Sequence, residues 1–399
     1  MGGNAIVMDH NTKEQFFAEK VPLQTIGRTY FVQEVNKFVT DFNQLFEKVT
    51  KKRLWEPEQI TSGNLFNGST SYIMCPNYDS KEIEEVKPFV GDIDIVVPKE
   101  LKLELYAFLR DLEGKELSPD VKYLGCNKPE FKPTMSQINC VFDILFKING
   151  VGELRIYTQV DFEFTDFIDG EPSQWARFGH SSNLKDAKVG IKAVHHKYLL
   201  RALVGTKNED PLGIVMLGDT QLPKVARLKI FDVNLGICTQ LEVLTQSKEQ
   251  NTYKQLQRFQ FNGEKDLNKV FVECFDRLPE GDEIEKLWSF VGLCELIQKY
   301  TPKELIDRVH RRYLDLLWES CPERTQELER NNPELDFDVK LKGYEYFINF
   351  FGLEDLHEPM LSDYYGTFGL NGKCNLSESL SPMSFKVYIA KKNYIQEDF

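Results

Sequence analysis

The 399-residue chain carries 62 acidic against 49 basic side chains, a net charge of −13, which excludes a protein that coats nucleic acid through many lysine–phosphate contacts. Hydrophobic residues make up 41% and charged residues 28%, as in ordinary globular cores, and the length allows two or three domains. The eight cysteines (Cys75, Cys126, Cys140, Cys238, Cys274, Cys294, Cys321, Cys374) include no CxxC pair, and no long uncharged apolar run marks a signal peptide or membrane span, so a soluble, cytoplasmic protein with no membrane partner is expected.

Residues 1–28 read as a partly extended N-terminal extension with few apolar clusters. Thr29 to Lys51 reads as an amphipathic helix, with Phe31, Val35, Phe38, Phe42, Leu45, Phe46 and Val49 at helical spacing. Leu65 and Phe66 form a short strand leading into the Gly68-Ser69 turn, and a helix beginning at Ser69 or Thr70 runs to Met74. Pro76 to Pro88 is charged and loop-like. Phe89 to Val97 is a strand stopped by Pro98, and Lys99 to Leu112 is a helix by periodicity. Two strands follow, Ile138 to Ile148 and Glu153 to Phe164, joined by a hairpin turn at Asn149-Gly150-Val151-Gly152.

Ser181 to Val204 reads as one helix, with Lys185, Lys188, Lys192 and His196 along one face. Residues 205–265 are mixed, with strand-like alternation in Val225 to Asp232 and Ile237 to Leu244. Helices dominate Leu267 to Arg330, one of them opening at Thr301-Pro302-Lys303-Glu304, where a capping Thr, a first-turn Pro and a Glu coincide. Ser384 to Tyr388 is a late strand.

The chemistry concentrates at Gly68-Ser69-Thr70 and Gly91-Asp92-Ile93-Asp94. Strand side chains alternate between faces, so Asp92 and Asp94 point the same way. Paired carboxylates suit hard divalent cations, and a turn of small residues offers backbone N–H groups to phosphate. Metal-assisted chemistry on a nucleoside triphosphate follows. The second hairpin strand carries Ile156, Thr158, Val160, Phe162 and Phe164 on one face and Tyr157, Gln159, Asp161 and Glu163 on the other. Asp161 is therefore the favoured third acid, because its face suits a polar cleft. Asp143, within Val141-Phe142-Asp143-Ile144-Leu145, is its rival. His195 and His196 diverge by about 100° on a helix and are not expected to chelate one metal.

A Gly-Ser turn, an acidic pair on a strand and a third acid on a later strand resemble the DNA polymerase β-like nucleotidyltransferase superfamily, over roughly Thr29 to Val204, with the look of a divergent, bacteriophage-type member. The resemblance implies a small mixed sheet flanked by helices over residues 29–180; with the largely helical pattern and few strands read over 181–399, the expected fold class is α+β. The resemblance also implies transfer of a nucleoside monophosphate from an NTP to an acceptor hydroxyl, an RNA or tRNA end first, with release of pyrophosphate. A protein or small-molecule acceptor, or a binding protein that retains the fold without activity, are the alternatives. Asp92 and Asp94 would bridge two Mg2+ (or Mn2+) ions, and Asp161 would hold the one that activates the acceptor. Gly68 and Ser69 would meet the triphosphate. Lys188 and Lys192 would neutralise it, an assignment resting on helix geometry. The stretch from Ser69 to Asp92 exceeds the family's usual spacing, so residues 78–86 are expected to loop out.

Overall fold

An aromatic stripe on one long helix organises the first half of the chain. The computed structural model describes residues 6–8, 15–127, 130–148, 152–173 and, apart from short stretches and 317–337, residues 175–353. The chain divides into two units, residues 1–188 and 189–399. Helix α1 (Arg28–Thr50) buries Phe31, Val35, Phe38, Phe42 and Phe46, each no more than 1% exposed. It ends where Lys51 turns left-handed at φ 61° and returns its N–H to the Glu47 carbonyl.

That stripe packs on a five-stranded sheet. In chain order the later elements are α2 (Thr70–Met74), α3 (Ser80–Val86), β1 (Asp92–Pro98), α4 (Lys102–Leu112), β2 (Glu116–Ser118), β3 (Val121–Cys126), β4 (Gln137–Ile148), β5 (Gly152–Thr165) and α5 (Leu184–Lys188). The sheet order is β1-β5-β4-β3-β2; β1 runs parallel to β5 and every other pair is antiparallel. One face of the sheet is core. Phe42 meets Phe108, Phe142 and Phe162 with ring centroids 5.1–6.0 Å apart, in the range where aromatic pairs add to plain area burial. Alternation makes this inevitable: Phe142 and Phe162 lie on one side of their strands, and their sequence neighbours go to the other.

Two stretches depart from the sequence reading. The expected N-terminal extension contributes to the core: Val21, Leu23 and Ile26 are fully buried, and Val21 bridges Val90. Too few apolar residues sit there to show a period, so burial came from pairing with a distant segment. The expected loop at 78–86 contains α3, capped by Asp79, whose carboxylate accepts the Glu82 N–H at 3.0 Å. Arg28 ties this insertion down. Its guanidinium donates to the carbonyls of Ile73 (2.7 Å), Tyr78 (2.7 Å) and Cys75, and to Ser80 Oγ at 3.2 Å. Arg28→Met keeps the aliphatic stem but leaves those carbonyls without their donor. We expect a loss of about 2–4 kcal/mol in urea unfolding, read as a lower midpoint at unchanged slope.

The second unit is mostly helical. It contains α6 (Ala193–Gly205), α7 (Leu267–Phe275), α8 (Phe290–Tyr300), a helix over 303–313 and α9 (Asp338–Phe351), together with an antiparallel sheet of Val225–Asp232, Gly236–Gln246 and Tyr253–Gln260. Its buried histidines serve packing: His195 Nδ1 lies 2.7 Å from the Tyr313 hydroxyl, and His196 Nε2 lies 2.5 Å from the Leu287 carbonyl. Among the described residues, no helix is long and apolar enough to cross a membrane. The hairpin turn at 149–151 and the strand expected at 384–388 fall outside the described residues.

Candidate metal and nucleotide site

The register between β1 and β5 makes the site. Asp94 lies directly opposite Asp161, and Asp92 opposite Gln159, so the three acids share the sheet face away from the aromatic core. Asp92, Asp94 and Asp161 each offer a carboxylate oxygen, and these oxygens lie within 4.8 Å of one another. Asp143 is not among them. It sits four residues along β4 from Asn139, the residue opposite Asp161, or about 13 Å, and its carboxylate pairs with Arg155 at 3.3 Å.

The Gly68 turn is stitched to the same strand. The Asn67 N–H donates to the Asp94 carbonyl at 3.1 Å, and the Val96 N–H to the Leu65 carbonyl at 2.8 Å. The buried Thr70 hydroxyl donates to the Asp92 carbonyl at 3.3 Å and accepts the Asp94 N–H at 3.2 Å. Leu65 and Phe66 thus supply a single bridge, Phe66 to Ile95, rather than a full strand. Gly68 has φ +55°, and a Cβ there would stand 1.8 Å from Asp94 Oδ2, so only glycine fits against this carboxylate. The half-buried Ser69 makes no side-chain cap bond, and α2 has only five residues, so the hydroxyl and the turn, rather than a helix dipole, are what this corner presents.

Around the acids lies a polar surround, of which the sequence revealed Gln159 and Glu163 but not Asn139, Asn67 or Lys87. Gln159 Nε2 donates to both oxygens of Asp161 at 2.9 Å, and Asn139 Nδ2 donates to Oδ1 at 2.7 Å. Asn67 Nδ2 reaches Glu163 at 2.5 Å. Lys87, at the C-terminal end of α3, is half-buried and interacts electrostatically with Asp92 and Asp94; Lys20 is near it as well. Burial pushes the Lys87 ammonium below its usual range, opposed by the two aspartates. A helix inserted between turn and strand had looked like a loop, so its cation went unnoticed.

The two lysines proposed from helix geometry are placed differently. The helix expected over 181–204 is two helices, α5 and α6, separated where Gly190 takes φ +74°. Lys188 ends α5 in an exposed ion pair with Glu82, and Lys192 precedes α6 in the second unit. They do not form one helical stripe.

Electrostatics single out the triad. Burial is the main cause that raises Asp92, and Lys87 opposes it. Asp94, 9% exposed, is pushed well up by burial, then by Asp92, Glu163 and Asp161. Asp161 is raised to about 7 by burial, despite the stabilising amides of Gln159 and Asn139. Each folded value therefore exceeds the unfolded carboxylate value near 3.9, so the folded state holds more protons and stability falls as pH rises. For Asp161 the loss runs from about pH 4 to pH 7, with a ceiling of about 4 kcal/mol. Melting curves of metal-free protein are expected to show a lower Tm at pH 7.5 than at pH 5. Added Mg2+ is expected to raise Tm more at the higher pH. Equal Mg2+ shifts at both values would contradict a cation held by these acids.

No family model, curated protein or solved structure matches the chain.

Proposed function

We propose that the first unit is a metal-dependent nucleotidyltransferase of the DNA polymerase β-like kind, moving a nucleoside monophosphate from an NTP to an RNA or tRNA end. The observation that carries this reading is the convergence of Asp92, Asp94 and Asp161 within 4.8 Å, beside a glycine turn pressed against Asp94. The donor set fits Mg2+ or Mn2+: all oxygen, all anionic when ionised, and mutually repulsive until a cation is present. Bound divalent ions would offset charge on the attacking and departing oxygens.

The chain's own residues divide the remaining work. Asp92 and Asp94 bind from one strand, and Asp161 faces them, aimed by two amides. Gly68 lets backbone approach where a side chain would collide. Ser69 presents its hydroxyl to a phosphate. Lys87, in place of Lys188 and Lys192, offsets the charge of the triphosphate from the β1 side.

The test is label transfer. Purified protein with NTPs labelled at the α-phosphate, Mg2+ or Mn2+, and total RNA is expected to label RNA, and Asp92→Asn with Asp94→Asn to abolish the label. Label on protein instead of RNA would move the acceptor to a protein hydroxyl. Absence of both NTP binding and transfer in folded protein would leave a binding protein that retains the fold, and RNA loss without NTP would indicate a hydrolase.

A further inference from the structure

One row of side chains continues beyond the acids across the sheet. Asp94 faces Asp161, Asp161 faces Asn139, and Asn139 faces Asn127, just past the end of β3. The Asn127 N–H donates to the Asn139 carbonyl at 3.0 Å, which continues the β3–β4 ladder by one residue. The side chain of Asn127 does the rest. Its Oδ1 accepts the Asn139 backbone N–H at 3.2 Å, and its Nδ2 donates to Asn139 Oδ1 at 2.6 Å. Asn139 Nδ2 then donates to Asp161 Oδ1 at 2.7 Å.

The polarity of this chain follows from chemistry. The two ends of an amide are alike in shape, so its orientation must be read from its partners. A backbone N–H can only donate. It forces Asn127 to turn Oδ1 inward, so Asn127 Nδ2 must meet the oxygen of Asn139, and the Asn139 NH2 must face Asp161. Each link admits one orientation.

We propose that Asn127, exposed on the rim of the sheet, is a positioning residue: through Asn139 it keeps a donor on Asp161 Oδ1, so that this carboxylate is held aimed at the place of a divalent cation. The proposal rests on the nucleotidyltransferase reading for the cation, and on the hydrogen-bond polarity alone for the orientation of Asn139.

Asn127→Asp replaces the NH2 that meets Asn139 Oδ1 by an acceptor of the same shape. Asn139 then meets an acceptor on both sides, so residue 127 competes with Asp161 for its NH2 and the donor on Asp161 is no longer fixed. Asn127→Ser retains one hydroxyl that both accepts and donates. Mn2+ binding to the full-length protein is measured by calorimetry. The side-chain NH2 resonance of Asn139 is followed in protein with nitrogen-labelled asparagine. N127D is expected to lower Mn2+ affinity about tenfold, within the range for outer partners of metal ligands, and to shift the Asn139 resonance. N127S is expected to stay within about threefold of wild type. If N127D matches wild type in both readouts, the relay is overturned. Equal losses in N127D and N127S, with matching drops in Tm, would also overturn it by showing a structural role only. Wild-type protein that binds no Mn2+ would instead remove the nucleotidyltransferase reading, and with it the purpose assigned to the relay.

Discussion

Asp94→Asn is expected to abolish nucleotidyl transfer and, at the same time, to stabilise the metal-free protein. The asparagine has nearly the same shape, and the backbone bonds of residue 94 to Asn67 and Thr70 do not depend on its side chain. What changes is charge. Asp94 is 9% exposed and faces Asp92, Glu163 and Asp161, which together with burial push its carboxyl well above the ordinary range. Neutralising it removes a repulsion that folding had to overcome, so the metal-free variant should gain about 1–2 kcal/mol. The same substitution removes a shared anionic ligand. Transfer should fall by on the order of 10³-fold, beyond the ~10–100-fold that loss of an outer partner costs. Thermal melts with and without Mg2+ check both halves: the variant melts higher without metal and no longer responds to it. An Asp94→Asn protein that transfers label normally, or melts lower than wild type, would refute the reading. The opposite signs expected here and for Arg28→Met separate a residue kept for chemistry from one kept for the fold.

Gly68→Ala is the second large effect, and it acts on the same carboxylate from the other side. The new methyl would lie 1.8 Å from Asp94 Oδ2 and 2.8 Å from its Cγ, at a residue whose φ is +55°. A left-handed alanine costs about 1–2 kcal/mol, and displacing the aspartate adds overpacking strain of about 1–3 kcal/mol. We expect a loss of about 2–5 kcal/mol in stability and roughly a hundredfold in transfer, the latter because Asp94 is moved off its position. A double-mutant cycle isolates the collision. In an Asp94→Ala background the alanine at 68 should cost only its backbone strain, about 1–2 kcal/mol. An undiminished cost there would place the strain elsewhere in the turn.

Much of this architecture is legible in one dimension because its signals are local. The stripe from Phe31 to Phe46 reads as a helix since 3.6-residue periodicity needs no partner to be seen, and Arg28–Thr50 is that helix. The hairpin strands show their two faces through alternation, so Gln159, Asp161 and Glu163 are legible as one polar row. Two misreadings had local cues that were outweighed. Asp79, two residues ahead of a turn of acidic and apolar residues, is a capping signal, and it opens α3. Gly190 interrupts an otherwise continuous apolar pattern, and it separates α5 from α6. The choice between Asp161 and Asp143 had no decisive cue, since both are acids in apolar strands. Strand pairing sets Asp161 beside Asp94, and Asp143 pairs with Arg155.

By itself, then, the sequence determined the long amphipathic helix, the two faces of the hairpin strands and the placing of Asp92 with Asp94 on one side, all of which follow from the geometry of a few consecutive residues. Only the tertiary structure decided which strands are neighbours and in what register. Strands β1 and β5 are brought parallel across an intervening helix and three strands, and their alignment is set by packing of the aromatic core. From that register came the meeting of Asp161 with Asp94, and from the pairing of β4 with β5 the amide of Asn139 on Asp161. A shift of one residue between β1 and β5 would have turned Asp161 to the face opposite Asp94.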